Sequence, residues 1–402
     1  MISRRFLLQA AAATVGGLVP VRAARAANAP GVTDTEIKFG QTMAYSGPLS
    51  PYGVIGRAEA AYFRMVNDEG GVNGRRLNFI SLDDGFSPPK TVEQTRRLVE
   101  EEHVAFIFGS LADITSLAVR PYLNENKIPQ LFLATPAETV TDPRHYPWTI
   151  ALYIATSSEA HIYAKYILAT KPNAKIGVLY NNNNFGKSAV SALREGLGPD
   201  KESMVVRELS FQESDPTVDQ QIISLQGSGA DTLIIVAGPI AAAKAIRKAY
   251  DIDWKPDRFL FNAAASVAAT LKPAGLDKSN GIVSATFGKD PTDPRWKDDP
   301  GIKEWEAFAA KYLTAADLND INAFGGYSNA IVMTHVLRQC GDDLSRENIM
   351  RQALSLKNFT TPLLLPGVTI NTSPTEYFPI RQFQLQRFNG ENWELFGDLL
   401  TD

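Results

Sequence analysis

The chain has 402 residues, 44% apolar and 21% charged, with a formal net charge of −4. That length exceeds one compact core and fits two lobes, while a slightly acidic balance without a basic stripe excludes nucleic acid as an expected partner. No internal apolar run approaches the ~20 residues that span a bilayer, and a single cysteine, Cys340, excludes an intrachain disulfide and any multi-cysteine metal site.

In chain order, the first feature is MISRRFLLQAAAATVGGLVPVRAARAANAP, an Arg pair followed by an Ala/Leu/Val stretch and small residues around Ala24-Arg25-Ala26. This reads as an export signal over residues 1–27 with an A-x-A-like cleavage site, so the mature chain begins near Ala27 and works in the periplasm. Ser3-Arg4-Arg5-Phe6-Leu7-Leu8 resembles the twin-arginine signal; a Sec signal that contains two arginines is the alternative.

Short apolar runs then alternate with helical patterns. Strands are predicted at IKFGQTM (37–43), LNFISLD (77–83), VAFIFG (104–109) and PQLFLA (129–134). Further along come AKIGVLY (174–180), MVVRELSF (204–211), TLIIVAG (232–238), RFLFNA (258–263) and GIVSATF (281–287). Continuous rather than alternating apolar runs indicate strands covered on both faces, hence parallel sheets. Helix starts are signalled by Ser87-Pro88, by Asp215-Pro216, and by a capping box of Thr156 with Glu159. Two helices are expected around 301–315 and 322–339, the second closed by Cys340 as a buried small hydrophobe. The last 40 residues read as an extended crossing and a β-hairpin turning at Asn389-Gly390.

A β-α pattern run twice gives an α/β fold of two Rossmann-like doubly wound lobes. Lobe 1 is assigned residues 32–155 plus 286–357, and lobe 2 residues 156–285 plus 358–402. Three chain crossings between lobes make a hinge that permits closure around a ligand.

Catalytic chemistry is not in evidence. The four histidines, His103, His145, His161 and His335, make no i,i+4 pair, and there is no H-E-x-x-H, G-x-S-x-G, Walker A or G-x-G-x-x-G motif. Gly227-Ser228-Gly229 and Gly70-Gly71 are loop punctuation, and Asp83-Asp84 is a strand-end polar pair. The chain is therefore expected to be a binder without cofactor or metal, not an enzyme.

Four segments carry a family resemblance: IKFGQTMAYSGPLSPYG, NDEGGVNGRRLNFISLDD, IPQLFLATPA and AKIGVLYNNNNFGKS. Over residues 32–400 the chain resembles periplasmic solute-binding proteins of the leucine/isoleucine/valine-binding type, which serve ABC transporters. The resemblance implies the type I periplasmic binding protein fold, a small organic ligand held between the lobes, delivery to an inner-membrane ABC permease, and a monomer. A ligand-sensing receptor subunit is the alternative role.

Ligands of open α/β sheets bind beyond the carboxyl ends of the strands. The strand-end residues singled out are Tyr52, Ser110, Asp113, Thr115, Ala134, Glu138, Phe185, Asn262 and Ala263. By resemblance, Tyr52 and Phe185 occupy pocket aromatic positions. Asp113 stands where amino-acid-binding members carry a hydroxyl for the ligand carboxylate, with Thr115 as a substitute. Glu138 falls on or near a second such hydroxyl, and Ala263 replaces the acid that takes the ligand ammonium. Where some members have paired cysteines, this chain has Phe86 and Ala112. A ligand carboxylate ~6 Å from an ionised Asp113 would meet roughly 3 kcal/mol of repulsion at an effective dielectric near 20. The loop thus suits a ligand that offers donors or positive charge over a plain α-amino acid. Alternatively, Asp113 and Glu138 cap their helices and point away.

Overall fold

The computed structural model describes residues 28–401; the expected export signal lies outside them. The first sheet is built from β1 (Glu36–Met43), β2 (Arg76–Asp83), β3 (Ile107–Phe108), β4 (Gln130–Leu133) and β5 (Thr149–Ala151), in the order β2-β1-β3-β4-β5 and all parallel. Helices α1 (Gly53–Asp68), α2 (Pro88–Arg96) and α3 (Asp113–Glu125) connect them. β4, apolar from Leu131 to Leu133, is buried along its length, as a doubly covered strand requires, whereas β2 at the edge is only half-buried.

The second sheet contains β6 (Ile176–Asn181), β7 (Val205–Phe211), β8 (Thr232–Val236), β9 (Asp257–Leu260) and β10 (Val283–Thr286). The closing hairpin, β11 (Gln382–Phe388) and β12 (Trp393–Thr401), adds to β10 antiparallel, giving the order β12-β11-β10-β9-β8-β6-β7. Its helices are α4 (Thr156–Thr170), α5 (Asn184–Leu197), α6 (Asp219–Gly227) and α7 (Pro239–Asp251), with two short turns, α8 (Lys272–Ala274) and α9 (Leu276–Ser279).

After β10 the chain returns to the first sheet's layer through α10 (Pro300–Tyr312), α11 (Ile321–Cys340) and α12 (Arg346–Ala353). α11 lies against α1 so closely that a Cβ on Gly326 would collide with the Ile55 carbonyl oxygen. The core of this half is aromatic: Phe39 stacks on Phe106 at 4.9 Å and meets Phe63 edge-on at 5.0 Å.

Four local expectations are corrected. Strand 104–109 shrinks to Ile107–Phe108 because the Arg346 guanidinium of α12 donates to the Val104 and Ala105 carbonyls at 3.2 and 2.8 Å. Thr156 makes no capping box: its hydroxyl donates to the Pro136 carbonyl at 2.8 Å, and Glu159 turns inward to accept from Tyr163 Oη at 2.6 Å and Asn262 N at 2.7 Å. Asp215-Pro216 does not open a helix; Asp215 accepts from Gln212 N at 2.8 Å in a turn, and α6 starts at Asp219. Ser87 is the N-cap residue of α2 but its side chain accepts nothing from the helix; Asp84 holds this turn instead, through Phe86 N at 2.9 Å and Thr91 Oγ1 at 3.0 Å.

Candidate ligand-binding site

The carboxyl ends of both sheets face one cleft holding two adjoining cavities, of ≈ 620 and ≈ 880 Å³ including space open to solvent. Ile55, Ala134, Tyr153 and Asn322 line both and join them.

The smaller cavity brings together Tyr52, Asp113, Ala134, Phe185 and Ala263 from the strand-end positions singled out in the sequence, and Asn262 lines the larger one. Phe86 and Ala112, also at the smaller cavity, hold φ of 60° and 70°, a left-handed backbone that residues with a Cβ seldom adopt. Such conformations persist where surrounding contacts over-determine them.

Ser110, Thr115 and Glu138 line neither cavity. The Ser110 hydroxyl accepts from Thr42 Oγ1 at 3.4 Å, and Thr115 Oγ1 donates to the Leu111 carbonyl one turn back at 2.5 Å. Glu138 accepts from Ser157 N at 2.7 Å, satisfying a free amide of the first turn of α4. The two hydroxyls and Oε1 of Glu138 are therefore engaged within the protein, away from both cavities.

Side chains that bridge the two sides of the cleft include Tyr52, Tyr153, Asp113 and Ser266, whose hydroxyl donates to Asp320 Oδ1 at 3.1 Å. Tyr52 Oη donates to the Ala263 carbonyl, and Tyr153 Oη donates to Asn262 Oδ1 at 2.8 Å. Asp113, opening α3, accepts from Phe185 N at 3.3 Å and Asn183 Nδ2 at 3.4 Å, both at the start of α5. Its carboxylate thus lies between two helix N-termini, whose partial positive charge favours an anion. Burial raises the Asp113 carboxyl above its ordinary value, and those backbone amides oppose the rise. α5 can approach this closely because Gly186 passes the end of β6, where a Cβ would collide with the Asn181 carbonyl oxygen.

Glu213 was not singled out in the sequence. It follows β7 by two residues and lines the smaller cavity. Its Oε1 accepts from Asn181 Nδ2 and Gly238 N, both at 2.9 Å, and burial pushes its carboxyl up to about 7. Asp290 lines the larger cavity with its carboxyl also raised by burial. No Lys, Arg or His lines either cavity among the described residues, and no group of His, Cys, Asp and Glu among them is arranged to hold a metal.

Residues 36–392 match the family described as periplasmic binding protein. The chain belongs to that family. Its members are substrate-binding proteins, not enzymes, and periplasmic ones. Among the described residues of this binding protein, no helix is long and apolar enough to cross a membrane. It is 25% identical over 306 residues to Leu/Ile/Val-binding protein homolog 7 of Brucella abortus, covering 73% of this chain and 74% of that one. It is 25% identical over 167 residues to the Leu/Ile/Val-binding protein of Escherichia coli K12, covering 40% and 44%. The fold is that of type I periplasmic binding proteins. A branched-chain amino acid ABC transporter protein from Thermus thermophilus with bound valine superposes with a TM-score of 0.83 at 17% identity, over 92% of this chain and 98% of that one. A fatty acid ABC transporter substrate-binding protein from Thermomonospora curvata superposes at 0.78 and 22% identity, over 94% and 95%.

Proposed function

We propose that this binding protein is the substrate-binding component of an ABC importer of the branched-chain amino acid family, and that it takes a small organic solute other than a plain α-amino acid. Residues 32–155 plus 286–357 and residues 156–285 plus 358–402 act as the two lobes that close on the ligand. The mature protein, exported by the twin-arginine route, works as a monomer that presents its closed form to the permease.

The observation that carries this reading is the make-up of the cleft wall: loops from both sheets, acids, and no cationic side chain. An α-amino acid needs a partner for its carboxylate and one for its ammonium. Here the loop opening α3 presents the Asp113 carboxylate where the ligand carboxylate would need a donor, and no cationic side chain lines the wall to take it. The structural relatives bind valine in one case and are named for fatty acids in the other, so the shared fold does not select the ligand and this chain's own lining does.

The test is mass spectrometry of whatever co-purifies with the mature protein, followed by ligand-dependent thermal stabilisation across amino acids, amides, amines, alcohols and aromatic acids. Stabilisation by compounds with hydrogen-bond donors or positive charge is expected. A tight α-amino acid whose binding survives Asp113→Ala unchanged would overturn the substrate argument.

A further inference from the structure

We infer that the ligand of this cleft is an organic amine with an apolar body, and that Glu213 is the residue that receives its ammonium group. The inference rests on the cleft being the ligand site, and deepens that reading by naming the ligand class and its anchor.

Three strand ends fix Glu213 in place. It follows β7, Asn181 ends β6, and Gly238 lies just past β8 at the N-cap of α7. Both hydrogen bonds go to Oε1, which orients the carboxyl and leaves Oε2 as the oxygen available to the cavity. A preset acceptor of this kind does not have to be ordered when a donor arrives.

The other cavity groups narrow the choice. Of the two remaining lining acids, Asp113 is engaged by the first turn of α5, and Asp290, whose Oδ1 accepts from Thr292 N and Oγ1 at 2.8 and 2.7 Å, lines the larger cavity, apart from Tyr52, Phe86 and Phe185. Asp113 also lies at the mouth of its own helix, so its charge is compensated by two helix termini, whereas Glu213 has one backbone amide and one side-chain amide. The basic residue nearest in effect, Lys244, does not line the cavity; its ammonium donates to the Asp215 carbonyl at 3.4 Å.

With no cationic side chain in the wall, an anionic ligand would find only like charge, and a neutral apolar ligand would leave Oε2 of Glu213 without a donor. An ammonium meets both needs. Tyr52, Phe86 and Phe185 supply aromatic surface in the same cavity, suited to the apolar body and to cation–π attraction. Burial also keeps the Glu213 carboxyl partly protonated near neutrality, a condition that a bound cation reverses by stabilising the ionised form.

The experiment is calorimetric titration of the mature protein at pH 8 with phenethylamine, 2-phenylethanol, 3-phenylpropionate and L-leucine. The amine is expected to bind tightest. Glu213→Gln retains an oxygen for the Asn181 and Gly238 donors; it should weaken amine binding about tenfold to a hundredfold and leave the alcohol within about twofold. Tighter binding of 3-phenylpropionate or leucine, unchanged amine affinity in the variant, or no binding by any probe overturns the inference. Ala263→Phe, which fills the cavity, separates the two levels. If it abolishes amine binding that Glu213→Gln leaves intact, the cleft stands as the site and the role of Glu213 falls. If neither substitution changes amine binding, the cleft reading falls as well.

Discussion

In the unfolded chain the Glu213 carboxyl ionises near its ordinary value of 4.5, whereas burial holds it at about 7 in the folded protein. Between those values the folded state binds a proton that the unfolded state has released. Stability therefore falls as pH rises through this window, and the deficit persists above it. Glu213→Gln cannot ionise, so thermal melts should show the variant more stable than the wild type at pH 8, by on the order of 3 kcal/mol, and nearly equal to it at pH 4.5. Glu159, pushed up to about 8 by burial, contributes in the same direction to both proteins and cancels in the comparison. The same substitution that stabilises the ligand-free protein should weaken amine binding, opposite signs that a purely structural residue would not show. Glu138 gives the complementary case. It accepts from Ser157 N outside the cavities, so Glu138→Ala should lower stability by about 1 kcal/mol in urea unfolding while ligand titrations remain unchanged.

Among the elements, strands were the most legible, because a buried parallel strand is a near-continuous apolar run, as β4 is from Leu131 to Leu133 and β8 from Leu233 to Val236. Helix starts were less so: the Thr156 and Glu159 pair has the spacing of a capping box, yet a tertiary partner, the Asn262 amide, took the acid. α12 went unexpected although Ser345 caps it through Asn348 N at 3.3 Å, because its polar sequence RENIMRQA shows little apolar periodicity. The strand-end rule found Tyr52, Asp113, Ala134, Phe185, Asn262 and Ala263 at the cavities. It missed Glu213 because FQESDP looks like a solvated turn; applying the rule to the end of β7 as to its neighbours would have found it. The contact of α3 with α5 depends on a fact no single segment carries, the Asp113 carboxylate shared between two helix starts. Asp113→Ala removes that anion and leaves both termini uncompensated. The expected result is a loss of about 1–2 kcal/mol of stability and several-fold faster ligand release, measured by stopped-flow fluorescence.

For the whole molecule, the sheet boundaries and the chain path set what can move. The chain passes from the first sheet to the second after β5, returns to the helices beside the first sheet after β10, and passes again before β11; on the two-lobe division proposed above, these crossings tie the lobes at one side and let them part at the cleft. Closure is then an equilibrium biased by the few bonds that span the gap. Tyr52 to the Ala263 carbonyl and Tyr153 to Asn262 are two of these, and both acceptors belong to the loop after β9. The double variant Tyr52→Phe, Tyr153→Phe keeps both rings and loses only the hydroxyls, so each lobe's packing is preserved while the closed state loses two hydrogen bonds, about 1–3 kcal/mol in all. Because ligand affinity scales with the fraction of protein in the binding-competent form, the apparent affinity should fall about fivefold to a hundredfold. Small-angle scattering should show a larger radius of gyration without ligand and a return to the wild-type value at saturation. An unchanged radius together with unchanged affinity would mean that the two hydroxyls do not bias closure, and that the Asp113 bridge, the Ser266–Asp320 bond or the ligand itself holds the lobes together.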